Sequence, residues 1–293
     1  HDVPIFDARP KAGGLNEYGI AAYKSVNDFA RKELEFVLEI GGITVRSDKA
    51  LGRDISLDAL RAGFDAVFLG LGLPGVNELG LDGEDAAGCV DAVDYISVLR
   101  QSNDLSQIAV GRDVVVIGGG MTAIDVAVQT KLLGAENVII AYRRGPESMN
   151  ASMFEQELAL KNGVIIRHWL QPRALTRNDR GEVCGITLDY TVMNDGRLET
   201  SGESVTLASD QVFKAVGQAP AEKILAEAGM ALSRGRISVD EERRTSIPGI
   251  WAGGDCIAGG QDLTVAAVQD GKLAAESIHR MLSMRPEKVS GFG

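Results

Sequence analysis

The sequence is poor in residues that hold metals or disulfides. Its three cysteines, Cys89, Cys184 and Cys256, lie far apart with no CxxC pair. That spacing excludes a vicinal redox disulfide, a zinc site and a four-cysteine iron–sulfur cluster within the chain. It fits a reducing, cytoplasmic setting in which the thiols serve as small buried hydrophobes. His1, His168 and His279 are equally dispersed, so no metal site is expected. Positive charge is also in deficit: 30 Lys and Arg against 41 Asp and Glu give a formal charge of −11. Such a surface repels phosphate backbones and anionic lipid headgroups, which argues against nucleic-acid and membrane partners. No apolar run approaches the roughly 18 residues of a spanning helix.

What is present alternates between strand and helix patterns. At 293 residues the chain has room for one large or two ordinary domains. DAVFLGLG (65–72) is an apolar run entering a glycine turn, and DQVFKAVG (210–217) repeats its shape, which suggests two similar units. Between them DVVVIG (113–118) is a continuous β-type run, predicted to lie in a parallel sheet covered by helices. A helix is expected over Met121–Leu133, then a strand over Val138–Tyr142, a helix over Ser152–Asn162 and a strand over Val164–Trp169. This is a doubly wound α/β order. Arg173–Leu207, with a turn at Asn194-Asp195-Gly196, reads as a small antiparallel insertion. A long helix is expected over Asp262–Leu282, and Val3–Asp7 reads as a short buried strand ending in an acid.

The chemistry concentrates in VVVIGGGMTAIDVA (114–127), where G-x-G-x-x-A falls between a strand and a helix. Gly118 permits a tight turn, Gly120 leaves room for a pyrophosphate, and Ala123 lets helix and strand approach. With Gly119, the amides of Met121 and Thr122 then open a helix toward an anion. The alternative is a glycine-rich turn without a ligand. The next strand ends in Tyr142-Arg143-Arg144, with no carboxylate for an NAD ribose diol. Guanidinium groups there suit the 2′-phosphate of NADP, Arg143 before Arg144; the pair would also serve as the basic cap of a surface turn. TSIPGIWAGGD (245–255) puts Asp255 at a strand end shortly before the last helix, as a ligand or as a cap.

Taken together, AGGLNEYGI, GGGMTAID, YRRGPESM, AVGQ and IPGIWAGGDC resemble two-dinucleotide-domain FAD/NAD(P) oxidoreductases of the pyridine nucleotide-disulfide reductase type. They resemble the electron-input part of dihydropyrimidine dehydrogenase and the glutamate synthase small (beta) subunit. FEQELAL, DQVFKAVGQ and VQDGKLAAESIH favour the pyrimidine branch.

The resemblance implies two Rossmann-like domains, with an NAD(P) domain (108–230) inserted in an FAD domain (1–107 and 231–293). It implies hydride transfer from NAD(P)H to FAD, with electrons passing on to iron–sulfur centres outside this segment. The partners would be an iron–sulfur segment and a catalytic domain or subunit, and the alternative is a nucleotide-binding fragment without activity of its own. Asp7 would meet the FAD adenosine ribose, Gly14 and Leu15 the flavin nucleotide, and Asp255 and Thr264 the diphosphate–ribityl region. Ala215 and Gly217 belong to the cofactor contacts. Lys24 stands where the family has an arginine, after Gly19-Ile20-Ala21 in place of a proline-containing run, so a looser flavin clamp is expected. No catalytic side chain is implied. The first strand and glycine loop of the FAD domain are expected upstream of His1, as in an N-terminally truncated form.

Overall fold

The computed structural model describes residues 1–261 and 263–284. The chain divides into two compact units, one of His1–Lys11, Gly42–Gly75 and Gln218–Gly293, the other of Ala12–Gly41 and Val76–Gly217.

The second unit is built on five parallel strands in the order Cys89–Asp91, Gln211–Ala215, Asp113–Gly118, Asn137–Tyr142, Ile165–His168. The central strand, DVVVIG, is buried at its four interior positions, as a strand covered on both faces requires. On one face Val114, Val116 and Phe213 pack with Ile96, Ile124 and Ala159 from the helices Ala92–Gln101, Met121–Leu132 and Met153–Lys161. On the other face Val115, Ile117 and Val212 pack with Leu170, Val183, Ile186 and Leu188. Those partners belong to the predicted insertion, a three-stranded antiparallel sheet of Leu170–Arg177, Val183–Asn194 and Arg197–Ala208. The sequence reading expected helices on both faces; the insertion takes that role on one of them. Its alternating apolar positions supply a flat buried side that a helix would otherwise provide. The turn between its last two strands places Asp195 and Gly196 at φ 48° and 77°, the left-handed geometry of a two-residue hairpin.

The helix Met153–Lys161 starts with a reciprocal cap: Ser152 accepts from the Glu155 amide, and Glu155 accepts from the Ser152 amide.

The first unit carries two parallel strand pairs, Val3–Phe6 with Ile43–Arg46 and Val67–Leu69 with Ile250–Ala252. The expectation that Val3–Asp7 is buried is corrected here, since Val3 and Ile5 are 47% and 39% exposed. That strand is paired along one edge only among the described residues. Leu57, Leu60, Leu69, Ile237, Ile250 and Ile257 form the core of this unit. The last helix runs Thr264–Ser283; Asp262, where it was expected to begin, lies outside the described residues. Buried Ser277 of this helix accepts a hydrogen bond from Trp251 Nε1 at 3.1 Å. The cysteines do not share one environment as expected: Cys256 is buried, Cys89 half-buried and Cys184 exposed. Burial pushes the Cys256 thiol above its usual range.

Of the three loop glycines, Gly118 has the strictest demand, because its φ is 152° and a Cβ there would lie 2.2 Å from the Ala215 carbonyl oxygen. Gly120 has φ −96°, and a Cβ there would meet open space. Gly118→Ala is therefore expected to destabilise the protein by about 2–4 kcal/mol, and Gly120→Ala by less than about 0.5 kcal/mol. Urea unfolding of both variants checks this; equal losses would contradict it.

Candidate functional site

Three adjacent strands of the second unit end side by side, and their ends hold most of the residues singled out in the sequence. Ala215 pairs with Gly118 at the end of its strand, and Gly217 follows at φ 97°. A Cβ on Gly119 would meet the Tyr142 ring at 2.4 Å, so the loop lies tight against the strand that carries the arginines. Gly120 then serves as N-cap of Met121–Leu132 without a side-chain cap, and fully buried Ala123 sits one turn in. Met121 is 49% exposed and Thr122 half-buried. The first amides of a helix have no intrahelical acceptor, and here they open beside the space in front of Gly120. A glycine whose Cβ would point into open space at an uncapped helix start is the shape a pyrophosphate needs.

Arg143 and Arg144 follow the next strand, Arg143 exposed and Arg144 half-buried. Their carbonyls are held, by Thr191 Oγ1 at 2.8 Å and by the Trp169 amide at 3.3 Å. Neither guanidinium has a hydrogen-bond or ion-pair partner among the described residues, which leaves both able to meet an anion. Next to them His168 stacks edge-on to Tyr142 with ring centroids 6.5 Å apart. Its Nε2 is buried without a partner among the described residues, and burial holds the imidazole below its usual pKa. The sequence showed His168 only as one of three scattered histidines; its register opposite Tyr142 needed the sheet.

Gly14 at φ 53° opens the short helix Gly14–Tyr18, and Leu15 is 41% exposed. Arg100 fastens this segment by donating to the carbonyls of Glu17, Ser25 and Asn16 at 3.0, 2.8 and 3.2 Å. Lys24, expected at a cofactor, is engaged by two carboxylates: Asp125 of the glycine-loop helix and Glu155 of the following helix, each at 2.6 Å. Tyr23 also donates to Asp125, at 2.9 Å. Fully buried Ala21 donates its amide to Asp125 at 3.4 Å, a bond that a proline at this position would lack. The departure from the family run thus gives the segment an extra tie.

Burial works against the charge on Lys24, but its bonds to Asp125 and Glu155 raise its pKa above the ordinary value. Burial likewise works against the Glu155 carboxylate, yet the bonds to Lys24 and Ser152 hold its pKa below the ordinary value. The Ala151 amide, at the start of the Glu155 helix, donates to the Gly119 carbonyl at 3.0 Å, so the triad sits one step from the loop. Asp125 was legible as the acid of GGGMTAID, but nothing in the sequence paired it with Lys24.

The remaining candidates belong to the first unit. Asp7 follows the strand Val3–Phe6, donates its amide to Arg46 O at 3.0 Å and accepts from the Arg9 amide at 2.9 Å. Asp255 lies in the turn Gly254–Cys256 after the strand Ile250–Ala252, and exposed Thr264 is the first residue of the last helix. Asp270 of that helix anchors the turn by accepting from the Gly254 amide at 2.8 Å and from Arg243 at 2.7 Å. A Cβ on Gly253 would come within 2.7 Å of the Asp270 Cβ, which explains the glycine before the turn. Among the described residues no group of His, Cys, Asp and Glu could hold a metal, and no helix is long and apolar enough to cross a membrane.

Fold and loop together define an α/β dinucleotide-binding protein. Residues 8–271 match the family model described as pyridine nucleotide-disulphide oxidoreductase, and the chain belongs to that family, whose members bind FAD and NAD(P). It is similar to the putative oxidoreductase AegA of Escherichia coli, at 34% identity over 98% of this chain and 46% of that protein. It is also similar to the E. coli glutamate synthase [NADPH] small chain, at 34% identity over 96% of this chain and 63% of that protein. The NAD-dependent dihydropyrimidine dehydrogenase subunit PreT of Salmonella typhimurium is 30% identical over 96% of this chain and 63% of its own length. The chain thus spans about half to two thirds of these relatives. The fold is shared with Mycobacterium tuberculosis FprA in complex with NADPH, with a TM-score of 0.76 and 19% identity over 96% of this chain and 78% of that one. It is also shared with T. acidophilum thioredoxin reductase, with a TM-score of 0.74 and 22% identity over 96% and 91%.

Lys24→Met is expected to cost about 2–4 kcal/mol at neutral pH, because it leaves two buried carboxylates without their cation. Glu155 has a lowered folded-state pKa, so its contribution is present above its unfolded pKa of about 4.5 and is lost as pH falls through the folded value. The gap between the two proteins should therefore narrow in urea unfolding at about pH 4. A gap independent of pH would assign the loss to packing instead.

Proposed function

We propose that the chain is the NAD(P)H-oxidising flavoprotein part of a larger electron-transfer enzyme. The single observation that carries this reading is the arrangement at one sheet end of the second unit: an open glycine loop at a helix start, beside two arginines whose guanidinium groups have no partner among the described residues. In this reading the second unit takes the nicotinamide nucleotide. Gly118 and Gly119 shape the loop, the amides of Met121 and Thr122 face the pyrophosphate, and Ala215 and Gly217 border it. Arg143, with Arg144, takes the ribose 2′-phosphate, which favours NADPH over NADH.

The first unit takes FAD, with Asp7 toward the adenosine ribose and Asp255 and Thr264 toward the diphosphate and ribityl groups. Bound there, the flavin would supply a hydride acceptor able to pass electrons one at a time to iron–sulfur centres outside this chain segment. The chain's own contribution is position and electrostatics, and it needs no acid or base side chain for the transfer.

The finer reading is the electron-input part of dihydropyrimidine dehydrogenase. It is supported by the likeness in FEQELAL and VQDGKLAAESIH and by the similarity to PreT. The alternative, a glutamate synthase small subunit, is supported by the similarity to that chain.

With FAD supplied, the flavin absorbance is expected to bleach with NADPH at lower concentration than with NADH. Arg143→Ala should raise the NADPH concentration required by about 10- to 100-fold and leave NADH nearly unchanged, the loss of one charge-assisted contact. A protein-bound flavin that neither nucleotide bleaches would contradict the functional reading, and equal response to both in the unmodified protein would contradict the role of the arginines.

A further inference from the structure

The arginine turn does not hold itself in place. Arg143 and Arg144 lie just beyond the strand Asn137–Tyr142, and their carbonyls are bonded to Thr191 of the insertion's middle strand and to Trp169, which joins the last parallel strand to the insertion. Thr191, on the middle strand of the insertion, is 3% exposed, and its hydroxyl donates to the Arg143 carbonyl at 2.8 Å. Its amide donates to the Trp169 carbonyl at 3.0 Å, and the Trp169 amide donates to the Arg144 carbonyl at 3.3 Å. Trp169 has φ 61°, a conformation that a bulky residue keeps only when its surroundings enforce it. The pairing of the middle and last strands shifts register between Asp189 and Thr191, and Thr191 resumes the ladder opposite Thr200.

We infer that Thr191 is a positioning residue for Arg143, and that through it the antiparallel insertion sets the preference for a 2′-phosphorylated nucleotide. This rests on the reading of Arg143 as the 2′-phosphate contact. The physical argument is one of preorganisation. An exposed arginine loses side-chain and backbone freedom when it grips a phosphate, and a turn already fixed by a buried hydroxyl leaves less to lose. Removing that hydroxyl also leaves the Arg143 carbonyl without its donor, so the turn relaxes toward water and carries the guanidinium away from the position required. A nucleotide without the 2′-phosphate does not use this contact and is indifferent to the change.

The test compares adenosine 2′,5′-bisphosphate with 5′-AMP by calorimetry, which needs no flavin. The proteins are the unmodified chain, Arg143→Ala, Thr191→Val, which keeps the branched shape without the hydroxyl, and Thr191→Ser, which keeps the hydroxyl. Thr191→Ala replaces the valine variant if thermal unfolding shows that the latter does not fold. The unmodified chain should prefer the bisphosphate and Arg143→Ala should abolish the preference. Thr191→Val should reduce it about 3- to 10-fold with 5′-AMP affinity unchanged, and Thr191→Ser should retain it. If the unmodified chain shows no preference, the arginine reading falls and the inference with it. If Arg143→Ala abolishes the preference while Thr191→Val keeps it, or weakens both ligands equally, the inference alone is overturned.

Discussion

The close approach of Gly118 to the Ala215 carbonyl is the constraint on which the second unit depends. It lets the central strand end flush against its neighbour, and the chain then turns at Gly119 and Gly120 directly into a helix. Any Cβ at Gly118 would collide with main chain, which cannot yield as a flexible side chain can. From that one contact follow the position of the helix start, the packing of Ala123 into the core, and the contact between Gly119 and the Tyr142 ring. The arginines come to the same sheet end because the strand that carries them is paired with the glycine-loop strand in parallel register, Ile117 opposite Ala141.

Around this loop the protein spends its buried polar groups on orientation. The Lys24 triad ties residues 21–24 to two helices, and Ala151 ties the second of those helices to the loop carbonyl of Gly119. A buried ion pair is weak evidence for stability, because desolvation offsets most of the attraction. Its place here is positional: it joins side chains from three separate segments. The antiparallel insertion acts similarly on the other side, covering the sheet with Ile186 and Leu188 while its Thr191 reaches the arginine turn.

Much of this was legible in the sequence, because the strongest signals are local. DVVVIG followed by G-x-G-x-x-A and a helical period gave strand, loop and helix to within a residue, and Asn194-Asp195-Gly196 marked its hairpin. The features that escaped are those in which residues distant in sequence meet. Lys24 with Asp125 and Glu155, Thr191 with Arg143, and His168 opposite Tyr142 are each set by register or helix packing, which a single sequence does not encode locally. The same cause explains the covering of the parallel sheet: alternation identified the insertion as a β-structure, but not that it replaces helices on one face.

The central claim, that the loop and the arginine turn of the second unit form the nicotinamide nucleotide site, is tested most directly by amide hydrogen exchange with and without NADPH. The account predicts slower exchange at Gly119–Thr122 and at residues 143–145, accompanied by residues 215–217 that border the loop, with smaller protection for NADH at the arginines. Protection elsewhere with these two segments unchanged would contradict it.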